Sequence, residues 1–166
     1  FYTADYTFLN GSLAEIYGIP GPKDEFTRVP YPTGSGRGGV LGHGSFLVAT
    51  SKPAETSPTE RGLFVRGQLL SQEVPAPPPG VTTALPEITD ESPMTNRQRL
   101  AVHLNSDACA GCHRLIDPIG FGLEQYDPIG AFREKLQIRS GDEPIELELD
   151  TLATVQGIEN SEFSTP

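Results

Sequence analysis

Both cysteines of the chain and one of its three histidines stand within five consecutive residues, Cys109-Ala110-Gly111-Cys112-His113. Two thiols at this spacing can add across the two vinyl groups of a haem and form two thioethers. An imidazole directly after the second thiol then falls under the porphyrin, with a ring nitrogen on the iron. The pattern is therefore that of covalent haem c attachment. Other uses of the same residues need partners. A thioredoxin-like dithiol follows a strand, and Asn105-Ser106-Asp107-Ala108 does not read as one. A structural zinc site needs four ligands, and no second Cys or His pair at matching spacing occurs. A disulfide across two intervening residues closes a small, strained loop.

On this reading His113 is the proximal ligand. Its other ring nitrogen needs an acceptor that sets tautomer and basicity, and the Pro118 carbonyl, on the loop just beyond, is the expected one. No His or Met follows His113, so a side chain on the opposite iron face must come from upstream. His103 is the first candidate, at the end of a capped helix and six residues before Cys109. Met94, the single methionine, and His43, in Gly42-His43-Gly44, are alternatives, as is an open or water-filled position. Two histidines give a low potential and His/Met a higher one. Either closed form carries electrons only, whereas an open iron admits peroxide or another small ligand. Phe121 and Leu123 are expected on the edge of the ring.

These residues need elements to position them. Thr95-Asn96-Arg97-Gln98 is a capping box, and it opens a helix of about ten residues into Leu104 that leads directly to the motif. Leu100 and His103 share one face of it. Ser57-Pro58-Thr59-Glu60 starts another helix, with serine as cap and proline in the first turn. Asp117-Pro118-Ile119-Gly120-Phe121-Gly122 reads as a turn, followed by a short helical piece over 123–126. Upstream, 5–18 reads as a helix capped by Asn10 and stopped by Gly18; as a glycosylation acceptor, Asn10-Gly11-Ser12 is the weaker reading. Residues 26–50 read as extended, including the apolar run Ser45–Thr50. Gly34–Gly39 lacks the spacing of a phosphate loop and reads as a flexible turn. Val74–Gly80 is a polyproline-type strap, 81–94 is loop, and 145–158 is a strand pair with Ile145, Leu147 and Leu149 alternating.

Composition narrows the function classes. The 166 residues include 18 Gly and 16 Pro and are 36% hydrophobic, which favours irregular loops over a large regular core. A haem would supply apolar surface to pack against. The net charge of -10 disfavours nucleic acid and suits a basic redox partner. No stretch approaches the roughly 20 apolar residues of a membrane span. The chain opens at Phe1 without initiator Met or leader and reads as a processed or excised piece. Haem attachment of this kind takes place outside the cytoplasm, so a periplasmic or extracellular location is expected.

In combination these signatures resemble a known pattern. They are Gly39-Val40-Leu41 with Gly44-Ser45-Phe46-Leu47, Thr56-Ser57-Pro58 with Arg61-Gly62, and the proline run after Leu69-Leu70. Arg97, Arg99 and His103 follow, then the cysteine motif with Ile116-Asp117-Pro118-Ile119-Gly120-Phe121, and finally Leu123-Glu124, Tyr126-Asp127, Ile129-Gly130 and Arg133. The chain resembles the haem-c-binding, cytochrome-like domains of unknown function found in large secreted proteins of planctomycete and myxobacterial type. The resemblance implies covalent haem c and an extracytoplasmic redox role, offers no substrate, and places His103 at a recurring position. Leu100 departs from it, since relatives often carry Met there.

The expectation is a mainly α, loop-rich, cytochrome c-like haem-wrapping core with small β additions. Residues 1–25 are expected to be the tail of a preceding helical domain, 26–134 the haem domain, and 135–166 a β-rich extension or the start of a following domain. The expected function is single-electron transfer by one covalent haem, with a basic or multihaem cytochrome or a larger electron-transfer complex as partner. A peroxidase-like enzyme with open iron, or a structural module stapled by haem, are the other readings.

Overall fold

Glycine and proline recur too often for long elements, and the chain forms short ones joined by irregular segments. The computed structural model describes residues 1–81, 84–139 and 143–166. Residues 82–83 of the stretch read as loop, and 140–142 of the C-terminal extension, lie outside these.

Strand β1 (Tyr6–Leu9) pairs antiparallel with β2 (Thr27–Pro30), Tyr6 opposite Pro30 and Leu9 opposite Thr27. Between them lies α1 (Gly11–Tyr17), capped by Asn10, whose side chain accepts from the Leu13 amide, and closed by Gly18 in the left-handed conformation. The expected helix over 5–18 thus loses its first turn to a strand: Thr7 and Leu9 are buried while Tyr6 and Phe8 are not, a period of two. The extended reading holds at β2 and fails at 44–49, which form α2 (Gly44–Ala49). A short apolar run fits either element, and here a helical face buries Phe46 and Leu47.

The centre is α3 (Pro58–Phe64), a π-helical turn (Val65–Leu69), α4 (Asn96–Leu104) and α5 (Asp107–Phe121). Ser57 caps α3, and Thr95 and Gln98 close a reciprocal box on α4. Helices α3 and α5 cross in backbone contact, because a Cβ on Gly62 would lie 2.0 Å from the Ile116 carbonyl and one on Gly120 1.9 Å from that of Pro58. Phe46, Leu47, Val65, Ile119, Leu123 and Tyr126 form the main core beside this crossing. A hairpin of β3 (Lys135–Ile138) and β4 (Ile145–Glu148) follows.

The expected mainly α, cytochrome c-like wrap does not form. Among the described residues, short helices share the chain with two separate two-stranded sheets and long irregular stretches. Buried arginines replace part of the missing apolar core. Arg61, fully buried, donates to the carbonyls of Leu123, Tyr126 and Asp127 and to Ser51 Oγ. Its guanidinium lies 3.5 Å from Glu124, which also accepts from Thr56 and Asn96. Arg37, in the glycine-rich turn, is buried and donates to the carbonyls of Tyr17, Gly42 and Gly130. Those bonds occupy its guanidinium inside the fold, so the turn acts as a structural anchor.

Candidate functional site

Helix α5 begins at Asp107, two residues before Cys109, and runs past His113 to Phe121. Cys109 and Cys112 are three residues apart, hence on one face, and both are free and half-buried. Helix α4 ends at Leu104, and only Asn105 and Ser106 separate it from α5. The last turn of α4 is thereby folded against the first turns of α5. His103 and His113 face each other there with ring centroids 4.4 Å apart.

Both cysteines and both histidines line one cavity of about 590 Å³. That lies within the roughly 300–1,000 Å³ of small-molecule and cofactor pockets. Leu63, Leu100 and Ile116 give it an apolar wall, and Pro75, Pro77 and Pro78 of the polyproline segment, with Val81 just beyond it, close one side. The strap expected from the sequence is thus a wall of the site. A larger groove, about 820 Å³, lies beside the β3–β4 hairpin, but it is wide open and its Lys135 is paired with Glu146.

The electrostatics separate the two imidazoles. His103 is 9% exposed, and its Nδ1 has no hydrogen-bond partner, a buried polar atom without satisfaction. Burial first, then the neighbouring His113, pushes its pKa down, against the opposing pull of Asp117 and a hydrogen bond with the Ala84 backbone. His113 Nδ1 instead lies 2.8 Å from Asp117 Oδ2, one helical turn along α5. Asp117 is 2% exposed, and its other oxygen accepts from Thr59 Oγ1. Burial raises the Asp117 pKa, while the bonds from His113 and Thr59 oppose that rise.

These residues suit a haem. The thiols stand on the cavity wall next to the imidazole that would bind iron, the wall is apolar, and the opposite imidazole carries an unpartnered nitrogen. Cys109 and Cys112 would hold the vinyl groups, and the two imidazoles would supply nitrogen ligands. Among the described residues no group of three or more His, Cys, Asp and Glu side chains could hold a bare ion.

Other expected residues lie elsewhere. His43 caps α2, with Nδ1 2.8 Å from Ser45 Oγ and its ring against Tyr17, and it does not line the cavity. Met94 precedes the N-terminus of α4, at the opposite end from His103, about 13 Å away for nine residues. Pro118 does not supply the acceptor for His113. The chain stays helical through it, so its carbonyl follows the helix axis while Asp117 comes round to the imidazole. Leu123 is fully buried in the main core, and Phe121 packs under the Arg97 guanidinium, 4.1 Å from its ring centroid. Neither lines the cavity: Phe121 closes α5, and Leu123 lies beyond the helix end. Asp117 and Thr59 are the site residues missed from sequence: the Asp-Pro pair reads as a turn, and the i, i+4 spacing from His113 matters only once 107–121 is helical.

The helices α2 to α5 and the buried arginines lie between Arg37 and the start of β3, and comparison with known proteins singles out the same stretch. No curated protein matches the chain, and no solved structure does. The family model PSCyt3, described as a protein of unknown function (DUF1588), matches residues 37–136, well over half of the chain, and the chain belongs to that family.

Proposed function

We propose that this chain is a one-electron carrier built around a single covalent haem c. Cys109 and Cys112 would hold the vinyl groups, His113 the iron, and His103 its other face. The observation that carries this reading is the meeting of His103 and His113 in the one cavity that both cysteines line. When bound, haem supplies an iron couple that gains and loses one electron. The chain's own residues do the rest. Leu63, Leu100 and Ile116 would pack against the ring and limit the access of water to it. His103 keeps its Nδ1 without a hydrogen-bond partner and would offer a nitrogen to the iron. With His103 and His113 both serving as ligands, the site would carry electrons without binding a substrate at the metal.

The resemblance to cytochrome-like domains of secreted proteins supports the same reading, together with a periplasmic or extracellular location. The charge of -10 suits a basic or multihaem cytochrome, or a larger electron-transfer assembly, as partner. No helix among the described residues is long and apolar enough to cross a membrane.

The test is production in a host that matures c-type cytochromes. The expected result is a mass increase of one haem that survives denaturation, and a low-spin absorption spectrum in both redox states. A bare polypeptide mass from such material would remove the proposal. A high-spin spectrum that responds to carbon monoxide would move it to ligand chemistry at an open iron.

A further inference from the structure

The Asp117 carboxylate joins two helices at the point where α5 presents His113. Its Oδ2 lies 2.8 Å from His113 Nδ1, and its Oδ1 accepts from Thr59 Oγ1 of α3, also at 2.8 Å. With 2% of the residue exposed, water cannot replace either bond. Thr59 holds the carboxylate from the side opposite His113, so the acid has one orientation rather than several. The crossing of α3 and α5 at Gly62 and Gly120 fixes the distance between the two helices and hence this clamp.

A carboxylate oxygen only accepts, so His113 Nδ1 must be the protonated nitrogen. The lone pair is then on Nε2, the nitrogen free to face the cavity. An imidazole that donates to a carboxylate is also a stronger base at its other nitrogen than one that donates to a peptide carbonyl. A stronger electron-donating ligand stabilises the oxidised metal more than the reduced one.

Resting on the haem reading above, we propose that Asp117, clamped by Thr59, is a positioning residue. It fixes the Nδ1-protonated tautomer of His113 and strengthens Nε2 as a ligand. The reduction potential is thereby set lower than a carbonyl acceptor at the same place would set it.

The experiment compares haem-loaded wild type, Asp117→Asn and Glu60→Gln by intact mass and potentiometric titration. Asparagine keeps the shape and removes the charge. Glu60 lines the same cavity, is exposed and makes no hydrogen bond to His113, so its variant measures the loss of a solvent-screened carboxylate near the site. Asp117→Asn should favour reduction about tenfold or more, or about 59 mV per tenfold for a one-electron couple. Glu60→Gln should shift the potential much less. Equal shifts in the two variants, or none in Asp117→Asn, would overturn the inference.

A second measurement needs no variant to fold. In reduced, ¹⁵N-labelled wild type, the Nδ1 proton of His113 should be observed far downfield and slow to exchange. A fast-exchanging or missing Nδ1 proton would count against the clamp. Wild-type protein that carries no haem after maturation would overturn the proposed function and this inference together. Haem-loaded protein with unmoved potential would overturn the inference only.

Discussion

The imidazoles of His103 and His113, carried by different helices, meet at 4.4 Å with their planes inclined by 56°. Nine residues of chain lie between them, and only Asn105 and Ser106 join the two helices. The site's two nitrogen donors are therefore brought together by a two-residue link between α4 and α5.

That link makes His103 directly testable. In haem-loaded protein, His103→Ala should convert a low-spin spectrum to a high-spin one and confer carbon monoxide binding that wild type lacks. His43→Ala should leave the spectrum unchanged, since His43 serves only as a helix cap. Identical spectra for His103→Ala and wild type would exclude His103 as the sixth ligand.

The helix crossing should not tolerate a methyl group. A Cβ at Gly120 meets the Pro58 carbonyl at 1.9 Å, and backbone cannot swing aside as a side chain can. Gly120→Ala should destabilise the fold by about 1–3 kcal/mol or more, as overpacked cores do. Gly67→Ala, with open space around it, serves as the neutral control. Urea denaturation midpoints read both, and equal midpoints would show that α3 and α5 can slide apart freely.

Arg61 is a buried cation whose partners lie on two segments, Ser51 and the stretch from Leu123 to Asp127. Arg61→Met should cost about 3–5 kcal/mol, the range for removing one member of a buried pair. The loss comes from the carbonyls of Leu123, Tyr126 and Asp127 left without a donor, and from Glu124 left with Arg133 3.7 Å away. A thermal midpoint within a degree or two of wild type would refute the structural role assigned to this residue.

Alkaline pH should weaken the fold through its buried phenols. Burial raises the pKa of both Tyr17 and Tyr126 above the usual value of 10.0. A folded-state pKa raised above the unfolded one gives stability that is complete below about pH 10 and fades as pH climbs toward the folded value. Each phenol contributes a slope of up to about 1.4 kcal/mol per pH unit in that window. Tyr126 also donates to the Gly36 carbonyl, which Tyr126→Phe removes. That variant should be less stable at pH 8, yet lose less stability between pH 10 and 11. Parallel stability profiles for the two proteins would contradict this.

Local chemistry was legible along the chain because it depends on neighbours in sequence. The two thiols and the imidazole after them, the Ser57 cap, the capping box of Thr95 and Gln98, and the left-handed Gly18 each act within one helical turn. Residues 44–49 fall in the stretch 26–50 that reads as extended, because the four apolar residues from Phe46 to Ala49 carry no decisive period. The helical state follows only from the core that Phe46 and Leu47 enter. Asp117 and Pro118 look like a turn in isolation, but α5 continues through them, held by the crossing with α3 and by Arg66, which donates to the Leu115 carbonyl.

By itself, then, the sequence determined which atoms could do chemistry: two sulfurs and an imidazole at a spacing that suits a haem, in an acidic, loop-rich chain. The tertiary structure decided which other groups attend them. It placed His103 opposite His113, set Asp117 and Thr59 behind it, and sent His43, Met94, Phe121 and Leu123 elsewhere. Those choices depend on helix phase and helix crossing. Both are set by contacts between residues tens of positions apart, such as Gly62 with Ile116 and Thr59 with Asp117.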